Sequence, residues 1–173
     1  MDLEGLIRNV PDFPKAGIQF KDITTLLQHP SAFCSIIDGW KEKFQDKGVD
    51  AIIGAEARGF IFGAALAYAM EVPFIPVRKR GKLPAKTLSQ EFELEYGKDE
   101  IEIHIDAINS GDRVLLVDDL LATGGTMEAM TRLVEDLGGE IVEILFVVEL
   151  PLLKGRERLG KYAVSSLVEF SVE

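Results

Sequence analysis

One stretch constrains the fold more than any other: Val114-Leu115-Leu116-Val117-Asp118-Asp119-Leu120-Leu121-Ala122-Thr123-Gly124-Gly125-Thr126. Its four leading apolar residues suit a parallel strand covered on both faces. Two acids mark the carboxyl end of that strand, a glycine loop follows, and a helix begins. Met127, Met130, Leu133, Val134 and Leu137 recur at helical spacing until Gly138-Gly139 stops the run. A helix amino terminus presents unpaired N–H groups and a partial positive charge, both suited to a phosphate. Ala122, Thr123, Gly124, Gly125 and Thr126 form the loop that would hold it. The glycines let main-chain amides approach the oxygens, and the threonines add hydroxyl donors. Asp118 and Asp119 would repel the phosphate itself, so they point to another part of the same ligand. A ribose diol suits carboxylate acceptors, and a Mg²⁺ ion suits the same oxygens. Phosphate beside diol means a ribose 5-phosphate. The loop has neither the Gly-Lys-Ser/Thr ending of a Walker A motif nor the Gly-x-Gly-x-x-Gly spacing of a dinucleotide site. A plain strand–turn–helix with polar turn residues is the alternative.

The chain has 173 residues, enough for one domain with a substantial core. Hydrophobic residues make up 47 % of it, so disorder is not expected, and no apolar run approaches the ~20 residues of a membrane span. Met1-Asp2-Leu3-Glu4 has none of the basic and apolar character of a signal peptide. Cys34 is the single cysteine, which excludes an internal disulfide and a thiolate metal cluster. Set among Phe33, Ile36, Ile37 and Trp40, it reads as a small buried residue rather than a nucleophile. These features predict a cytoplasmic protein. A net charge of −10 disfavours nucleic acid and anionic membranes as partners. A polyanionic ligand must then meet a local basic cluster, and Arg78-Lys79-Arg80-Gly81-Lys82, with Lys86 beyond, supplies one.

The rest of the chain alternates. Leu3, Leu6, Ile7 and Val10 predict a short amphipathic helix stopped by Pro11. The alternation from Ile18 to Thr24 is too brief to assign. Pro30 opens a helix with Phe33, Ile36, Ile37, Trp40 and Phe44 on its buried face, ended by Gly48. Val49 to Gly54 is a short strand, a second helix runs to Met70, and Phe74 to Val77 is the next strand. From Arg78 to Ala107 the helical rhythm lapses. There Ile101, Ile103 and Ile105 alternate with Glu100, Glu102 and His104 as in a half-exposed strand, with Glu91 to Tyr96 as hairpin partner across Gly97-Lys98-Asp99. Ile141 to Val148 and Val164 to Leu167 complete the set. The expected fold is α/β, a mainly parallel central sheet flanked by helices in a single domain. Ligands bind such sheets beyond the carboxyl ends of the strands, where Arg58, Arg78 and Asp118 all fall.

The signature stretch resembles the phosphoribosyl diphosphate motif of the type I phosphoribosyltransferases, and its wording is similar to that of members acting on adenine. The likeness extends to Phe13-Pro14 through Ile23, Glu56-Ala57-Arg58-Gly59-Phe60, Arg78 through Pro84, Leu94-Glu95-Tyr96-Gly97 and Leu153-Lys154-Gly155-Arg156-Glu157. It implies conversion of adenine and 5-phospho-α-D-ribose 1-diphosphate to AMP and pyrophosphate. The implied cofactor is Mg²⁺, held mainly by substrate with Asp118 or Asp119 assisting, and the implied assembly is a homodimer. It also implies hood elements near 1–28 and a flexible hairpin near 85–107.

Breaking the anomeric bond builds negative charge on the departing pyrophosphate, which calls for electrostatic stabilisation and positioning of the base. Arg58, Arg78, Lys79 and Lys82, with Tyr96, are the expected pyrophosphate ligands. For the basic run, a solvated loop is the plain alternative. By resemblance Glu95 carries a proton for the base, although as a bare sequence feature it is one exposed acid among several. Phe20 and Leu120 match the family's adenine slot. Lys21 stands where the family commonly has arginine, keeping the charge and losing the planar fork. His29 and His104 read as surface residues. Two readings compete: a sister enzyme for guanine, hypoxanthine, xanthine or orotate, and a non-catalytic sensor of the same donor.

Overall fold

The computed structural model describes residues 2–93 and 97–171. The first expected helix is absent: a 3-10 turn, Glu4–Leu6, leads into strand β1 (Arg8–Pro11). β1 pairs antiparallel with β2 (Gln19–Asp22). A helix this short is marginal in water, whereas pairing satisfies the backbone and sets Arg8 2.6 Å from Asp22. Helix α1 (Thr24–Leu27) is a single turn, and α2 (Pro30–Phe44) begins on Pro30 as expected. α2 ends before Gly48, whose φ of 63° turns the chain toward β3 (Ala51–Ala55). Helix α3 (Gly59–Met70) and strand β4 (Phe74–Lys79) follow. β5 (Thr87–Glu93) and β6 (Lys98–His104) form the hairpin, with Lys98 and Asp99 inside the second strand rather than in the turn. β7 (Arg113–Leu121), α4 (Gly125–Asp136), β8 (Glu140–Glu149), a 3-10 turn at Pro151–Leu153, α5 (Gly155–Arg158) and β9 (Val164–Glu169) complete the order.

The main sheet runs β5-β6-β4-β3-β7-β8-β9. The pairs β4–β3, β3–β7, β7–β8 and β8–β9 are parallel, and the hairpin adds antiparallel strands at one edge. Side chains alternate across a strand, and this sorts the core into two layers. Val114 and Leu116 of β7, Ile53 of β3 and Ile144 of β8 pack with Met127, Met130, Leu133 and Val134 of α4. Leu115, Val117, Ile52 and Leu145 face the other way, against Ile36, Trp40 and Phe44 of α2 and Phe62 and Leu66 of α3. Both faces of β3 and β7 are therefore covered, which is why they read as unbroken apolar runs. No helix among the described residues is long and apolar enough to cross a membrane.

Three further expectations need correction. Cys34 is exposed, because it projects about 120° away from the centre of the α2 stripe formed by Ile36, Trp40 and Phe44. The acid pair does not follow the signature strand but lies within it, since β7 extends to Leu121. Glu102 is buried rather than solvated. It accepts hydrogen bonds from the amides of Lys82 (3.2 Å) and Leu83 (3.1 Å) and from the Thr87 hydroxyl (3.2 Å).

Candidate active site

The chain visits β3 and β4 in turn, then crosses back to lay β7 on the other flank of β3. Loops leaving β3 and β7 consequently part in opposite directions and open a crevice at their carboxyl ends. Arg58, at the start of α3, comes off β3. Asp118 and Asp119 come off β7. The Arg58 Nε lies 3.0 Å from Asp119 Oδ2 across this crevice. The N–H is not aimed along that line, so the buried Oδ2 has no hydrogen-bond partner. A carboxylate oxygen buried without a donor is an acceptor for a sugar hydroxyl or a cation's water shell. Burial pushes the Asp118 carboxyl well up from its ordinary value, and the neighbouring Asp119 adds to this. Burial raises Asp119 as well, against the opposing pull of Arg58.

Below the acids, Ala122 to Thr126 wrap into a cup of about 80 Å³ that Asp118 and Leu120 help to line. That volume suits a phosphate group, not a whole nucleotide. Gly124 caps α4 with φ 81°, a left-handed conformation that side-chain-bearing residues avoid, and the first amides of α4 follow it. Two cavities of about 330 Å³ lie elsewhere on the surface, but neither contains the acid pair or this loop. Size does not decide where the chemistry is.

Beside the cup, a cleft of about 220 Å³ brings Glu56 and Lys79 to Thr126, closed on the hairpin side by Phe92 and Asp99. Glu56 was not expected to have a role. Its carboxylate accepts from Arg78 Nη2 (3.1 Å) and Nε (3.3 Å), Lys82 Nζ (3.1 Å) and the Lys79 amide (3.0 Å). The Arg78 hydrogen bonds lead in holding its carboxyl down at about 2, from an ordinary 4.5. Lys79 Nζ pairs with Asp99 of β6 at 2.9 Å. The Arg78 and Lys82 side chains and the Lys79 amide are thus gathered around Glu56, while the Lys79 ammonium turns to Asp99 and Arg58 is held apart by Asp119. The peptide between Glu56 and Ala57 is cis. A position directly after a buried strand and opposite a basic run is the signal that could have found Glu56.

The base-side residues divide. The Phe20 ring packs edge-on to Phe13 at 5.1 Å, and the Arg58 guanidinium sits 5.1 Å from its centre, so Phe20 borders the crevice. Lys21 does not join it. Adjacent residues of β2 point to opposite faces, and Lys21 is buried with its Nζ 3.0 Å from Asn9 Oδ1 and 4.3 Å from the centre of the Phe170 ring. Burial lowers its pKa. Leu120, half-buried, lines the cup. Glu95 and Tyr96 lie outside the described residues. His29 is exposed before α2, and His104 Nε2 accepts from the Ala85 amide at 3.4 Å.

Among the described residues, no three His, Cys, Asp or Glu side chains converge to cage a metal. The acid pair still offers hard oxygen donors of the kind Mg²⁺ uses when substrate phosphates supply the remaining ligands.

A phosphoribosyl transferase domain model matches residues 22–172. The adenine phosphoribosyltransferase of Clostridium tetani (strain Massachusetts / E88) is 56 % identical over 99 % of this chain and 100 % of its own length. The crystal structure of adenine phosphoribosyltransferase from Thermoanaerobacter pseudethanolicus superimposes with a TM-score of 0.93 at 53 % identity, covering 98 % of each chain. That of Saccharomyces cerevisiae, complexed with an imino-altritol bisphosphate and adenine, gives 0.91 at 42 % identity over 96 % of each. The chain belongs to the phosphoribosyltransferase family and, within it, to the adenine phosphoribosyltransferases.

Proposed function

We propose that the chain, acting as a single catalytic domain, converts adenine and 5-phospho-α-D-ribose 1-diphosphate to AMP and pyrophosphate in purine salvage. The observation that carries this is the crevice between β3 and β7, where a phosphate-sized cup adjoins the half-buried Asp118 and the buried Asp119. In this reading the amides and hydroxyls of Thr123 to Thr126 grip the 5-phosphate, with Ala122 shaping the turn. Asp118 and Asp119 accept the ribose hydroxyls. Arg58, Arg78, Lys79 and Lys82, with Tyr96, stabilise the departing pyrophosphate, whose charge grows as the anomeric bond lengthens. Phe20 and Leu120 sandwich adenine. Lys21 acts from behind β2, holding the Phe20 strand rather than touching the base.

Asp118 or Asp119 would help to hold Mg²⁺ brought in mainly by the donor, and the ion would supply positive charge to offset that of pyrophosphate. Glu95 carries a proton for the base under the closed hairpin, which keeps water from the cationic ribose. Glu95→Gln should lower turnover by ~10²–10⁴-fold, the usual scale for losing a general acid or base. Turnover within threefold of wild type at saturating substrates would remove it from the mechanism.

The working form in this reading is a cytoplasmic homodimer. The lone cysteine agrees with a reducing compartment. For the dimer, α3 offers support: it carries no charged residue from Gly59 to Met70, and Ile61, Ala64 and Tyr68 leave an apolar stripe on its outer side. A helix apolar all round is normally covered.

The test is to incubate the protein with Mg²⁺ and 5-phospho-α-D-ribose 1-diphosphate and, separately, adenine, guanine, hypoxanthine, xanthine and orotate. Nucleotide from adenine alone is expected. Nucleotide from another base would make it a sister enzyme, and donor binding without product from any base would make it a sensor.

A further inference from the structure

The phosphate loop is not self-supporting. Gly155, the buried first residue of α5, lies against its outer side, backbone on backbone. A Cβ on Gly155 would sit 2.2 Å from the Ala122 carbonyl oxygen and 3.0 Å from the Gly124 nitrogen. A Cβ on Gly124 would meet the Gly155 carbonyl at 2.7 Å. Nothing larger than hydrogen fits at either position, so the loop's place is set by where Gly155 is held.

What holds Gly155 is its neighbour. Arg156 Nε donates to Glu149 Oε1 (2.9 Å), and its Nη2 donates to the other oxygen of the same carboxylate. Nη1 donates to the Val164 carbonyl (2.8 Å), and Nη2 reaches the Ser166 hydroxyl (3.2 Å). Glu149 ends β8, is buried, and also accepts from Ser166 Oγ at 2.6 Å. One planar fork therefore ties α5 to the ends of β8 and β9 at once, a geometry that lysine cannot reproduce. Leu159, fully buried, fixes the other end of α5.

We propose that Arg156 is a positioning residue for 5-phosphate recognition, acting through the Gly155–Gly124 seam and touching no substrate. This rests on the phosphoribosyl reading above. Loosening the fork lets α5 drift and the loop amides lose their aim, and displacement on the ångström scale far from a ligand costs of order 10- to 100-fold.

The experiment is calorimetric titration of wild type, Arg156→Lys, Gly155→Ala and the milder Ser166→Ala with ribose 5-phosphate and, separately, with pyrophosphate, both with Mg²⁺. Pyrophosphate reports the far end of the same crevice. The expected result is a ribose 5-phosphate dissociation constant raised about tenfold in Arg156→Lys and Gly155→Ala, with pyrophosphate affinity within about twofold of wild type. Ser166→Ala should move the same way by less, which keeps the test informative if a stronger variant does not fold. Exposed Glu157→Ala, one residue along, should change neither ligand. Loss of thermal stability with both affinities intact would reduce Arg156 to a structural tie and overturn the proposal, as would parallel weakening of both ligands. A wild type that bound pyrophosphate but not ribose 5-phosphate would sink the phosphoribosyl reading and the brace with it.

Discussion

Glu56 occupies, with its carboxylate, the place where several donors converge. Arg78, Lys82 and the Lys79 amide all point at it, and the proposed function assigns these groups to the leaving pyrophosphate. An incoming anion must therefore compete with a resident one. Replacing that charge in Glu56→Gln should tighten pyrophosphate binding by about tenfold, or ~1.4 kcal/mol. Product-inhibition constants would show it, and weaker binding in the variant would mean that Glu56 organises the cations instead of competing with the ligand. At this scale the sequence was legible where chemistry and spacing coincide. Asp118 and the loop to Thr126 form one unbroken run on a strand–turn–helix, so local pattern suffices to put them together, while Asp119 turns to Arg58. It was illegible where a contact joins distant segments. Nothing local announces that Gly155 backs Gly124, or that Glu149 receives Arg156. Reading Lys21 beside Phe20 as a partner on the base also overlooked that neighbours in a strand face apart.

Helices and strands were readable in proportion to their burial. α2, α4, β3 and β7 each carry a sustained apolar period, and each lies near its expected place. The amino-terminal segment misled because Leu3, Leu6, Ile7 and Val10 fit a helix in isolation, while β2 offered a partner that sequence alone does not reveal. In the hairpin the alternation of Glu100, Glu102 and His104 suggested a wet face. Glu102 is instead the buried acceptor that pins the 82–87 crossing to β6. Glu102→Ala leaves two amides and a hydroxyl without their acceptor, which should cost about 1–3 kcal/mol and loosen the segment that follows Arg78. Urea unfolding would measure the first effect, and faster amide exchange at Lys82 and Leu83 the second. Unchanged exchange at both amides would show that the crossing is held by other contacts.

For the molecule as a whole, acid should act through clamped carboxyls, two of them held furthest below their ordinary values. Asp22, held mainly by its Arg8 hydrogen bond, and Glu56, held mainly by Arg78, both stand at about 2 against ordinary values of 3.8 and 4.5. A carboxyl depressed in the native state contributes stability that is complete above its unfolded value and disappears as pH falls toward its native one. The urea midpoint should therefore hold near neutrality and decline from about pH 4.5 downward, less steeply in Glu56→Gln. An identical decline in that variant would assign acid lability to other groups. The outer stripe of α3 makes a prediction about assembly: Tyr68, 87 % exposed in the single chain, should be covered in a dimer. Tyr68→Glu should shift sedimentation toward the monomer, and an unchanged profile would place the contact elsewhere. The seam between Gly124 and Gly155 has a last consequence, for the order of events during synthesis. A nascent chain that has emerged as far as β8 already holds every residue of the phosphate cup, yet not the stretch that backs it. With the cup holding the sugar phosphate as proposed, affinity for it should arrive late in synthesis, once the stretch that carries Gly155 and Arg156 has docked.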